Sequence, residues 1–217
     1  MKTFMRWAPP LIAVAAGVAA VVSSPQLVGA QEARLLAIRD DATRDFVRQF
    51  VEAARVRGTP TEPLVSRALE GVAFKADRKR IEQAMAALEK RMKRAHAALG
   101  ARATVDEIAA GADALAVDVP DGTIREMKRF APQRQITVEL GVLTELVAKG
   151  VTPRKAADMV KQLMARGATG TQLTELNAAV QQDVALGIKP VEALSLRGRG
   201  VMSLLPPPAS VNSAQRR

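Results

Sequence analysis

The stretch "DRKRIEQAMAALEKRMKRAHAALG", residues 77–100, constrains the fold more than any other part of the chain. Ile81, Met85, Leu88, Met92, Ala95 and Leu99 step by alternating fours and threes, which lays them along one line of an α-helix. Such a seam packs against one partner helix, as in a bundle or an antiparallel hairpin. From Asp41 onward apolar residues recur at threes and fours, and no segment sustains an alternation of period two. The expected fold is all-α, a multi-helix bundle or short helical-hairpin array of about eight helices, with no β-sheet.

Starts and stops follow the same grammar. Asp41 to Arg57 carries Phe46, Val47, Phe50, Val51 and Ala54 on one face and stops at Gly58. In "GTPTEPLVSRALEG", Thr59 or Thr61 can cap, Pro60 and Pro63 suit a first turn, and Gly71 weakens or ends the helix. Gly100 closes the long helix in a left-handed position. Thr104 and Glu107 have capping-box spacing, ahead of a stripe of Val105, Ile108, Ala112, Leu115 and Val119. Pro120 breaks that helix, and a short one runs to Ala131. Three further helices are expected: Ile136 to Lys149 (Ile136, Leu140, Leu143 and Val147 inside), Pro153 to Arg166 (Ala156, Val160, Leu163, Met164) and Thr171 to Leu186 (Leu173, Leu176, Val180, Val184).

"KGVTP" (149–153) and "LGIKP" (186–190) share an order of stop, cover, cap and helix start. In the first, Thr152 is the expected cap; the second lacks a good one, and "DVP" at 118–120 is a weaker third copy. The recurrence reads as joints between helices rather than as a binding loop, and a repeat array is the alternative to a plain bundle. The expected organisation is a secretory signal over residues 1–30, helical units over 31–118 and 119–203, and a disordered proline-led tail over 204–217.

The signal reading rests on Lys2 and Arg6, the apolar run from Leu11 to Val22, and Val28-Gly29-Ala30 before Gln31. An uncleaved anchor is the alternative, although the run falls short of the ~20 residues a helical span needs. Export to the periplasm or beyond is expected, with no stable membrane span once the signal is removed. The formal net charge is +10, and only two of the 32 Lys and Arg precede Gln31, so the remainder is strongly basic. Such a chain suits an anionic partner: lipid headgroups, lipopolysaccharide, a wall polymer or another anionic envelope polymer, or an acidic protein. Nucleic acid is not expected, given the export signal and the few aromatic residues. With no Cys, no disulfide, thiolate nucleophile or zinc–thiolate site can form.

The strongest non-structural signal is a basic cluster on the long helix. Lys75, Arg78, Lys79, Arg80, Lys90, Arg91, Lys93 and Arg94 stand against only Asp77, Glu82 and Glu89. They are the candidate contacts for an anionic partner, expected as two patches at the helix ends; a merely solvated face is the plainer alternative. No catalytic, metal or cofactor residues are assigned. His96, the only His, reads as a boundary residue. Glu70 is the one acid singled out for acid–base work, with a salt bridge to Arg67 or a neighbouring cation as its structural explanation. "LRGRG" (196–200) lacks the Walker spacing and lysine, and glycines after a short helix explain it better.

Pro60-Thr61-Glu62-Pro63-Leu64-Val65, then Ala68-Leu69-Glu70-Gly71, then a Lys and a long Ala-rich helix resemble a segment of uncharacterised exported bacterial helical proteins. Phe74-Lys75-Ala76 stands where that pattern has a Lys-Gly turn. The resemblance implies export and a helical fold and no activity. The functional expectation is a non-enzymatic interaction module of the cell envelope. The alternative is a hydrolase of envelope glycans or peptides acting through a buried carboxylate.

Overall fold

A computed structural model describes residues 33–206. The expected signal (1–30) and residues 207–217 of the expected tail lie outside the described residues. Among the described residues the fold is all-α with no strand. A helical turn at 33–35 precedes nine longer helices: α1 (Asp41–Val56), α2 (Glu62–Ala73), α3 (Arg78–Leu99), α4 (Val105–Ala116), α5 (Asp121–Phe130), α6 (Thr137–Ala148), α7 (Pro153–Ala165), α8 (Gly170–Ala185) and α9 (Pro190–Leu204).

Six of the joints between them are built alike. At the ends of α1, α2, α4, α6, α7 and α8, a residue of positive φ follows the C-cap: Gly58, Lys75, Asp118, Gly150, Gly167 and Gly187. The next residue turns its N–H back onto a carbonyl inside the helix end, as Val151 does to Leu146 at 3.1 Å and Ala76 to Gly71 at 2.9 Å. This is the Schellman closure, and its outer apolar residue covers the helix end. Thr59, Val119, Val151 and Ala168 are buried there. "KGVTP", "LGIKP" and "DVP" are thus three instances of one joint.

Several local expectations change. Thr152 makes no side-chain cap; the good cap is at α8, where Thr169 and Gln172 form a reciprocal box. The box of Thr104 and Glu107 is present, but Val105 lies on the exposed side of α4. Pro120 is the N-cap of α5 rather than the breaker of α4, which already ends at Ala116. Gly71 does not end α2, because a Cβ there would stand 2.9 Å from Ile81 Cγ1: the glycine permits close contact with α3. Gly198 and Gly200 likewise lie inside α9, where Gly198 is pressed against Met159 of α7. The helix after Pro190 is therefore long, and "LRGRG" is helical.

Buried apolar residues form two clusters. One gathers Leu64, Val65 and Ala68 of α2 with Val47 and Val51 of α1, Ile81 to Met92 of α3 and Ile108 of α4. The other runs from Ala95 and Leu99 of α3 through Leu140, Leu143 and Leu146 of α6 to Leu194 of α9. The line between them crosses α3 and α4. All six seam residues of α3 are buried, with α4 packed along the helix and α1, α2 and α5 beside it. α6 is walled in by α4, α7 and α8, so Val142 and Leu146 are buried as well as the expected face, and Val147 only partly so. Leu205, placed by sequence in a disordered tail, is buried, and the Arg166 guanidinium donates to the carbonyls of Met202 (3.2 Å), Leu205 (3.0 Å) and Pro206.

Candidate anion-binding face on α3

α3 starts where the Asp77 carboxylate accepts the Arg80 N–H at 2.8 Å, and it ends at Gly100 with φ +93°. With 100° between successive residues, a buried seam at 81, 85, 88, 92, 95 and 99 puts 79, 90, 93 and 94 on the opposite side. Lys79, Lys90, Lys93 and Arg94 are exposed there, and Lys75, Arg78 and Arg80 are exposed around the helix start. Seven of the eight sequence-assigned cations thus face solvent. Arg91 does not: it leans toward α4, its Nε is buried without a hydrogen-bond partner, and its charge acts on Asp113.

Ion pairing divides the set. Arg78 pairs with Glu82 at 2.7 Å and lies 5.7 Å from the centroid of the Phe46 ring. Arg80 is 3.6 Å from Asp77, Lys93 2.9 Å from Glu89, and Arg94 2.9 Å from Asp121. Glu89 is buried and also takes Arg57 at 2.8 Å. Burial works against its charge, and the Lys93 and Arg57 hydrogen bonds outweigh it, so the carboxyl titrates below the ordinary range. Lys75, Lys79, Lys90 and Arg91 have no ion-pair partner within 4 Å among the described residues. Lys79 and Lys90 are eleven residues apart, about 16 Å along the axis, so the cations without ion pairs are sparse and well separated.

Glu70 is half exposed and pairs with Arg67 at 2.9 Å, the structural explanation weighed from sequence. It also lines a shallow depression of about 200 Å³ with Ser66, Arg67, Leu88 and Asp113. Packing around the Asp113 carboxyl raises its pKa, Arg67 and Arg91 pull it back, and Glu70 pushes it further up. Asp113 keeps one side open to solvent, which limits the rise. It carried no sequence signal; only the α3–α4 packing, with Gly111 against Ala95, brings it near Arg91. His96 is exposed on the last turn of α3.

A larger groove of about 460 Å³ lies between α5 and α7, lined by Glu126, Arg129, Phe130, Asp158, Lys161 and Gln162. Its lysine is engaged: Lys161 bonds to Glu126 and lies 3.2 Å from Asp158, and the Glu126 bond above all raises its pKa. Arg197, which a phosphate-loop reading of "LRGRG" would need free, holds Asp183 through two bonds of 2.6 and 2.7 Å. Among the described residues no helix is long and apolar enough to cross a membrane, and no three His, Asp or Glu gather as a metal cage requires. Comparison with protein-family models, curated proteins and solved structures finds no match.

Proposed function

We propose that the chain is a non-enzymatic helical interaction module that presents the outer face of α3 to an anionic partner, an envelope polymer or an acidic protein surface. The supporting observation is that Lys75, Lys79 and Lys90 stay exposed and, among the described residues, without ion pairs, while four neighbouring cations are paired. The exported setting rests on the leader within residues 1–30 alone. Sparse exposed cations contribute attraction and approach rate more than specificity. Binding to a soluble anionic polymer such as polyglutamate should therefore weaken steeply between about 50 and about 200 mM salt. Replacing Lys79 and Lys90 by Gln should weaken it further at low salt. Binding indifferent to both changes would sink the electrostatic reading.

The hydrolase reading has one observation in its favour, the approach of Asp113 to Glu70 across a concave surface. Against it, Glu70 is half exposed and already paired with Arg67 at 2.9 Å. An activity on glycans or peptides abolished by Asp113→Asn, with the helical fold intact, would restore it.

A further inference from the structure

Phe74 is the C-cap of α2, and 79% of it is exposed at the turn into α3. It does not dangle: its N–H bonds to the Glu70 carbonyl at 3.0 Å, Lys75 N–H to Val72 at 2.9 Å and Ala76 N–H to Gly71 at 2.9 Å. The Schellman closure therefore holds the backbone that carries this exposed ring, so the turn itself needs no ordering before it meets a surface. Lys75, next to it, has φ +54° in the position that Gly fills at four of the other five joints. A lysine there is strained relative to glycine, and its gain is a cation beside the ring. Lys79 adds a second within the first turn of α3. Neither has an ion-pair partner among the described residues, whereas Arg78 and Arg80 are engaged with Glu82 and Asp77.

An exposed ring followed at one helix turn by two exposed lysines is a composition by which a peripheral protein enters the headgroup layer of an anionic bilayer. The ring lies at the acyl boundary and the ammonium groups among the phosphates. Neither the depression beside Glu70 nor the groove between α5 and α7 is lined by Phe74, Lys75 or Lys79. We infer that the α2–α3 turn, through Phe74, Lys75 and Lys79, docks the protein on an anionic lipid surface. This goes beyond the proposed function: it rests on the same reading of α3 as a basic face and adds an anionic lipid surface as a partner at one end of it. Contributions of this size give weak, reversible attachment.

The test uses the chain from Gln31, which contains every buried residue of both clusters, checked for helicity by circular dichroism. Trp7 is the only Trp in the sequence, so Phe74→Trp gives that protein a single emitter, placed at the tip. Vesicles of phosphatidylcholine alone and with about a third phosphatidylglycerol are compared at low salt. The expected result is co-sedimentation with the anionic vesicles only, a blue shift of the tryptophan emission of Phe74→Trp on binding, and loss of binding in Phe74→Ser. Lys75→Gly and Lys79→Gln should each weaken binding about five-fold. Lys75→Gly should at the same time raise the denaturation midpoint, which separates lost binding from lost folding. Anionic-vesicle binding that these substitutions leave intact and that does not shift the tryptophan emission overturns the tip proposal and leaves the wider basic face standing. Binding to polyglutamate but not to vesicles does the same. Failure to bind any anionic surface at low salt overturns both.

Discussion

Glu107 shows how much a single residue carries here. Its side chain is 1% exposed, and it joins three segments. Oε2 accepts the Thr104 N–H at 3.1 Å, while Oε1 accepts Lys128 Nζ at 2.7 Å and the Ile136 N–H at 3.1 Å. Lys128 also donates to the Arg134 carbonyl at 2.8 Å. One carboxylate thus ties the start of α4, the end of α5 and the entry to α6. Burial alone would raise its pKa; the Lys128 ammonium and the two backbone N–H groups outweigh that and hold it below the ordinary carboxylate value. Replacing it by Gln leaves the Lys128 ammonium, 14% exposed, without its counter-charge. The expected cost is about 3 kcal/mol near neutral pH, read from urea denaturation followed by circular dichroism. A folded-state pKa below the unfolded one gives stability that is fully present above about pH 4.3 and lost as pH falls through the folded value. The gap between wild type and Glu107→Gln should therefore narrow in acid, and a gap constant down to about pH 2.5 would refute the charge assignment. The capping-box half of this network was legible, since Thr104 and Glu107 are three apart. Its ion pair was not, because Lys128 lies 21 residues away and only packing brings it back.

Helix elements were legible where periodicity and caps agree, and the seam of α3 is the clearest case: every residue of its four–three pattern is buried. Legibility fell where one signal has two physical meanings. Glycine ends α1, α3, α6, α7 and α8 through a positive φ, whereas Gly71, Gly111 and Gly198 lie within helices at close crossings. The letter is the same, and only the partner helix distinguishes the cases. The candidate face shows the same limit, since helical geometry separated Lys79 and Lys90 from the seam, but the leaning of Arg91 toward Asp113 depends on where α4 lies. Two alanine substitutions test the distinction. A Cβ at Gly111 would stand 2.9 Å from Ala95 Cβ and 3.3 Å from Leu99 Cδ1, with the Ala95 backbone behind at 3.8 Å. Neither helix can yield by rotating a side-chain tip, so Gly111→Ala should destabilise by about 1–3 kcal/mol, less some gain in helix propensity. At Gly141, within α6, a Cβ meets nothing inside 4 Å, and Gly141→Ala should stabilise by up to about 1 kcal/mol. Equal effects of the two changes on the urea midpoint would contradict the close crossing of α3 and α4.

At the scale of the whole molecule, the two apolar clusters are coupled by the helices they share. α3 gives Ile81, Met85, Leu88 and Met92 to one cluster and Ala95, Ala98 and Leu99 to the other. α4 divides likewise, with Ile108 and Ala112 in the first and Ala114 and Leu115 in the second, and Ala103 packs against both. Loss of one cluster would strip half the buried seam from α3, a helix that cannot fray at one end without exposing apolar area at the other. Unfolding is therefore expected to be one cooperative transition rather than two. Leu64→Ala and Leu143→Ala each delete a fully buried side chain, one in each cluster. Each should cost about 2–5 kcal/mol and move the same midpoint. Native-state hydrogen exchange gives the decisive reading, because Leu64→Ala in α2 should lower protection of the α6 amides, which it does not touch. Protection in α6 that survives Leu64→Ala unchanged, with a second step in the urea curve, would make the clusters independent folding units joined only by a helical hairpin.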